Sequence, residues 1–172
     1  MARNVEIKAR VADLDALEER VAGMSDSGPE LLVQDDTFFN CPVGRLKLRT
    51  FPHGAGELIA YARPDVKGPS TCHYSITVVP HAAELATALT TALGVTGRIR
   101  KERRLYLMGP TRIHLDRVAD LGTFLELEVV LRPDQDAAEG EALAMDLMSR
   151  LGVKQDDLVD VAYLDLLNSE VT

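Results

Sequence analysis

Glu126 and Glu128 alternate with Leu125, Leu127 and Val129 in the run LELEV. Period-two spacing puts both carboxylates on one face of a β-strand, about 7 Å apart. Like charges so placed repel unless a cation or a base sits between them. Asp116, in the preceding run RIHLD, is placed to join them. A cluster of carboxylate oxygens suits a hard divalent cation, Mg2+ or Mn2+. Other runs alternate in the same way and carry bases. They are Glu6 with Lys8, then Arg45, Lys47 and Arg49, and finally Arg112 with His114 beside Asp116. Lys and Arg are the natural donors to phosphate oxygens. His114 taken alone reads as a packed or exposed histidine.

These residues need strands to position them, and strand signals dominate the chain. The runs 3–10, 31–40, 45–51, 57–63, 71–79, 98–108, 111–118 and 123–131 read as eight strands. Short turns such as CPVG, PHGAG and GP make their neighbours antiparallel. Residues 13–24 read as a helix with Leu14, Leu17, Val21 and Met24 on one face. Asp13 or Asp15 can cap it, and Asp15 with Glu18 fits a capping box. Residues 81–93 form a second helix ending at Gly94, and 136–151 and 155–168 two more. In 98–108 both parities are basic: Lys101 and Arg103 on one face, Arg100, Glu102 and Arg104 on the other. A charged strand face is either wetted by bulk solvent, with ordinary cross-strand ion pairs, or turned inward. Periodicity alone does not separate the two.

The bounds are consistent with one globular domain over 1–172. The chain is 46% apolar, with 19 Lys+Arg against 27 Asp+Glu and a net charge of −8. That balance disfavours sequence-independent binding of nucleic acid or anionic membrane and leaves room for a local anion site. Cys41 and Cys72 have no CxxC spacing and read as reduced, packed thiols. The charged N-terminus has no apolar h-region, and no run is long and apolar enough to span a bilayer. The expectation is a soluble cytoplasmic protein. P-loop, Rossmann, zincin and serine-hydrolase signatures are missing from the sequence.

In order, VEIK (5–8), DDTFF (35–39), GRLKLR (44–49), RKERRLYLMG (100–109), RIHLD (112–116), LGTFLELE (121–128) and AYLDLL (162–167) resemble the CYTH superfamily. These are triphosphate tunnel metalloenzymes, among them class IV adenylyl cyclases and thiamine triphosphatases. The resemblance runs from residue 3 to about 167. It implies an α+β fold, a closed eight-stranded antiparallel barrel with a polar tunnel and helices packed outside. It also implies Mg2+ or Mn2+ as cofactor and a small-molecule triphosphate or nucleotide as ligand, and leaves room for a homodimer.

Matched residue by residue, Glu6 and Lys8 take the last acid and the lysine of an ExExK motif. Lys47 with Arg49, and Lys101 with Arg103, match two phosphate-binding pairs, and Arg112 adds a donor. Asp116, Glu126 and Glu128 match the C-terminal acids. The resemblance thus implies Glu6, Asp116, Glu126 and Glu128 as metal ligands, with Glu6, Lys8, Glu126 and Glu128 as the catalytic set. The chain departs from the pattern at three places. Asn4 stands at the first acid, where an amide oxygen would hold a second ion less tightly. Tyr61 stands where a lysine is usual, with Arg63 as substitute. TCHYSI replaces a strand that usually carries acids. The expected activity is metal-dependent hydrolysis of an organic or nucleoside triphosphate. The alternatives are cyclisation of a nucleoside triphosphate with release of pyrophosphate, and binding of a phosphorylated ligand without turnover.

Overall fold

The computed structural model describes residues 2–170. Eight strands run β1 (Ala2–Arg10), β2 (Ser27–Phe39), β3 (Arg45–Thr50), β4 (Gly56–Ala62), β5 (Ser70–Val79), β6 (Val95–Met108), β7 (Thr111–Val118) and β8 (Gly122–Val130). All pair antiparallel in the ring β1-β5-β4-β3-β2-β6-β7-β8, which closes where β1 meets β8. The expected closed eight-stranded barrel is the observed fold.

Alternation decides what each strand turns outward. Val5, Ile7 and Ala9 of β1 are fully buried beneath helices, with Leu125, Leu127 and Val129 of β8 and Ile113 and Leu115 of β7. Helices α1 (Leu14–Met24) and α3 (Ala137–Arg150) cover this apolar face through Leu14, Leu17, Val21, Ala144 and Leu147. Gly140 lets α3 approach, because a Cβ there would lie 2.9 Å from Val5 Cγ2. Helix α2 (Ala82–Leu93) packs on Phe39 and Leu48 at the far side. Among the described residues, no helix is long and apolar enough to cross a membrane.

Four expectations shift. β2 and β6 begin at Ser27 and Val95, earlier than the turn residues around them predict. Their mutual pairing extends both, and a register break between Ser27 and Glu30 absorbs the Gly28–Pro29 step. Asp13 alone caps α1, accepting from Ala16 N at 3.0 Å. Glu18 instead takes up Arg104 and the Tyr106 hydroxyl, so no Asp15–Glu18 box forms. Residues 155–168 are not one helix. Gln155–Asp157 make a 3-10 turn, and α4 spans Tyr163–Glu170. The stretch between is held extended on β1, with Leu158 bridged to Ala9 and Val159 N bonded to Lys8 O at 2.9 Å.

α4 also differs from its expected place on the outside. Tyr163 and Leu164 pack among Phe38, Ile99 and Phe124, which face the barrel interior, so this helix lies across one mouth. Gly97 makes room, since a Cβ there would stand 2.3 Å from Leu164 Cδ1.

Candidate active site

The strand face opposite the apolar one encloses a tunnel of about 470 Å³. Eight basic and seven acidic side chains line it, so its wall is nearly balanced while the whole chain carries −8. Lys8, Lys47, Arg49, Arg63, Lys101, Arg103 and Arg112 all line it, as do Glu6, Glu126 and Glu128. The parity of β6 is thereby settled. Lys101 and Arg103 point inward and are buried, while Arg100 and Glu102 are exposed.

Strand register builds the acidic centre. Glu128 pairs with Glu6 on one side and Arg112 on the other, and Glu126 pairs with Lys8 and His114. One donor atom from each of His114, Glu126 and Glu128 falls within 4.8 Å of the others, a spacing that fits a single metal ion. His114 Nδ1 is buried, makes no hydrogen bond, and lies 3.6 Å from Glu128 Oε1 and 3.8 Å from Glu126 Oε2. Burial, then the Arg103 charge, hold this imidazole below its usual pKa. That shift favours the neutral ring, the form in which an imidazole ligates a metal. An imidazole with two carboxylates fits Mn2+ at least as well as Mg2+.

The carboxylates are kept ionised by neighbours. Burial alone would raise Glu126, but Arg103 and Lys101 bring it well below the usual range. Burial would likewise raise Glu128, and the permanent charges of Arg112 and Arg103 lower it. Arg112 grips Glu128 through Nε at 2.8 Å. Glu6 goes the other way: burial, then Glu128 and Glu126, raise it, and Arg63 meets it at 3.4 Å.

Asp116 sits differently from its expected place as a metal ligand. It is 0% exposed and does not line the tunnel. Arg103 clamps both its oxygens at 2.7 and 2.6 Å, and Lys101 and the Tyr163 hydroxyl take Oδ2 at 3.2 and 3.0 Å. Its visible work is to fix the two cations. Arg103 also reaches Glu126, so this ion-pair net runs from beneath Tyr163 into the acidic centre.

Several wall residues escaped the sequence reading. Asp36 is buried at the centre of the second basic group, accepting from Lys47 Nζ at 2.7 Å and from Arg49 Nε and Nη2 at 2.8 and 2.9 Å. Its signal was present: the CPVG turn sets Asp36 opposite Arg49. Tyr163, within AYLDLL, is another. Its ring lies 4.2 Å from Lys8 Nζ and 5.0 Å from Lys101 Nζ, a cation–π shelf. Lys8 Nζ also donates to Val161 O at 3.1 Å and lies 3.5 Å from Glu126. Tyr61 and Cys72 line the tunnel at the two other departures, and Arg63 is present as the substitute cation.

Burial lowers the Lys47 pKa to about 8, despite Asp36 beside it. A bound polyanion favours the charged amine, so binding above that pH must take up a proton. Log affinity for a non-hydrolysable triphosphate should therefore fall with pH in the wild type by about one unit more per pH unit than in Lys47→Arg. Calorimetric titration above about pH 8 reads the two slopes. Parallel slopes would show that Lys47 is not a ligand-bound ammonium.

The architecture is thus a closed antiparallel barrel whose tunnel is lined by interleaved bases and acids around an imidazole-bearing centre. The chain belongs to the CYTH family, whose domain it matches over residues 2–163. It is 27% identical over 180 residues to the adenylate cyclase CyaB of Aeromonas hydrophila, covering 98% of this chain and 90% of that protein. Its fold superposes on the PH1012 protein of Pyrococcus horikoshii with a TM-score of 0.84 and 24% identity, covering 96% and 99% of the two chains. HpAC1 of Hippeastrum, described as having a dominant triphosphatase activity, superposes with a TM-score of 0.67 and 13% identity, covering 99% and 96%.

Proposed function

We propose that the protein is a divalent-metal-dependent phosphohydrolase acting on an organic or nucleoside triphosphate held in the tunnel. The observation that carries this reading is the His114–Glu126–Glu128 triad set among inward-facing cations on β1, β3, β6 and β7. A divalent ion bound there would polarise phosphoryl oxygens and neutralise charge passing to the leaving group. Glu126 and Glu128 would hold it with His114, and Glu6, raised in pKa, stands next to them. Lys47 and Arg49, oriented by Asp36, would bind one stretch of the phosphate chain. Arg112 and Arg63 reach the acids from the opposite side and would bind another. Arg103, fixed by Asp116, would orient Glu126 rather than meet solvent. A non-catalytic binding tunnel would not require an unpartnered imidazole nitrogen beside two carboxylates.

Cyclisation is the second reading, supported by the CyaB relative. The wall would be shared, and the nucleophile would be the ribose 3′-hydroxyl attacking the α-phosphorus in place of water on the terminal one. Incubation with a panel of triphosphates plus Mg2+ or Mn2+, with products resolved by chromatography, tests both. Orthophosphate is the expected product. A cyclic nucleotide with pyrophosphate would replace hydrolysis by cyclisation, and ligand-dependent thermal stabilisation without any product would remove both.

A further inference from the structure

Cys72 is a tunnel residue that the proposed reaction does not use. It is 3% exposed and faces inward from β5. Its cross-strand partner on β1 is Asn4, which is 2% exposed and also lines the tunnel. Asn4 Oδ1 has no hydrogen-bond partner. A buried amide oxygen left without a donor costs about 1–3 kcal/mol, and such an atom calls for an explanation, an ion among them. Directly opposed residues of antiparallel strands set their Cβ atoms about 5 Å apart, so the amide and the thiol reach one small volume.

Glu6 follows on the same face of β1 and adds a carboxylate. It acts on Cys72 both by its charge and by contact with the thiol. A thiol that ligates a metal ion does so as the thiolate.

We infer that Asn4, Glu6 and Cys72 form a second cation site, separate from the His114–Glu126–Glu128 triad and suited to a borderline divalent ion of the Zn2+ class. One amide oxygen, one carboxylate and one sulfur make a mixed donor set. Mg2+ does not take sulfur, whereas Zn2+, Co2+ and Cd2+ do. Binding forms a metal–sulfur bond and releases the thiol proton to solvent, with no change of oxidation state. The residue that departs from the family pattern at position 4 thus acquires a role beside a sulfur contributed by the strand that lacks the usual acids.

Titration of the reduced, full-length protein with Co2+ or Cd2+ tests the site by sulfur-to-metal charge-transfer absorption. The band should saturate at one equivalent in wild type and in Cys41→Ser, and persist in excess Mg2+. It should vanish in Cys72→Ser and in Cys72→Ala, whose unchanged melting curves would show both to be folded. Asn4→Ala should weaken the titration midpoint by about tenfold, as loss of a metal contact does. No band in wild type, a band surviving in Cys72→Ser, or its loss in Cys41→Ser would overturn the site. An unmoved midpoint in Asn4→Ala would overturn the three-donor set. Glu126→Gln should lose hydrolysis and keep the band, so the absorption reads this site whether or not the triad supports turnover.

Discussion

Glu128→Gln is expected to lower metal-dependent turnover of the preferred triphosphate by about two orders of magnitude or more, equivalent to about 3 kcal/mol of barrier. The amide keeps the size of the carboxylate and an acceptor for Arg112, whose Nε lies 2.8 Å away. It removes the negative charge that a divalent ion needs from the triad. The loss should appear in kcat, with the apparent metal affinity weakened, because the ion acts where charge develops. The melting temperature should change little. Wild-type rates in the variant would take Glu128 out of the metal site.

Asp116→Asn is expected to cost about 3–5 kcal/mol of folding stability, the scale for breaking a buried ion pair from one side. The change leaves Lys101 and Arg103 buried without the full counter-charge of Asp116. Arg103 retains only its contact with Glu126. The sign with pH follows. Burial would raise Asp116, but Arg103 and Lys101 bring it down to about 2 from an ordinary value of 3.8. Its stabilising contribution is complete above the unfolded value and is lost as pH falls toward 2. Urea unfolding at neutral pH measures the difference. Asp15→Asn, which breaks the exposed pair with Arg117, serves as the control and should cost less than about 1 kcal/mol. A similarly small cost for Asp116→Asn would refute the buried-clamp reading.

Much of this architecture is legible in the sequence, and what is not has physical causes. LELEV and RLKLR alternate strictly, so their inward and outward faces follow from period two. β6 is basic on both faces. Its parity is resolved by partners distant in sequence, since Asp116 takes Arg103 inside and Glu18 takes Arg104 outside. Asp116 shares the face of His114, and nothing local shows that Tyr163, 47 residues later, closes over it. Asp36 and Asp35 look alike in DDTFF. Strand parity sends Asp36 to Lys47 and Arg49 and leaves Asp35 outside with Arg98. His114 gains its meaning only from register, which sets Glu126 opposite and Glu128 diagonal to it.

The ion pairs along the tunnel wall make the free protein its own counter-ion. Lys47 and Arg49 hold Asp36, Arg63 holds Glu6, and Arg112 holds Glu128. A triphosphate entering the tunnel would therefore exchange one set of anions for another rather than fill bare positive sites. Every arginine it draws away from Glu6 or Glu128 leaves a carboxylate that gains by binding a cation. On the proposed function, metal and triphosphate would thus raise each other's affinity by the same factor, as linkage requires. With neither bound, the wall is satisfied by its own charges, which lets an acidic chain carry a tunnel full of lysine and arginine without unfolding around it.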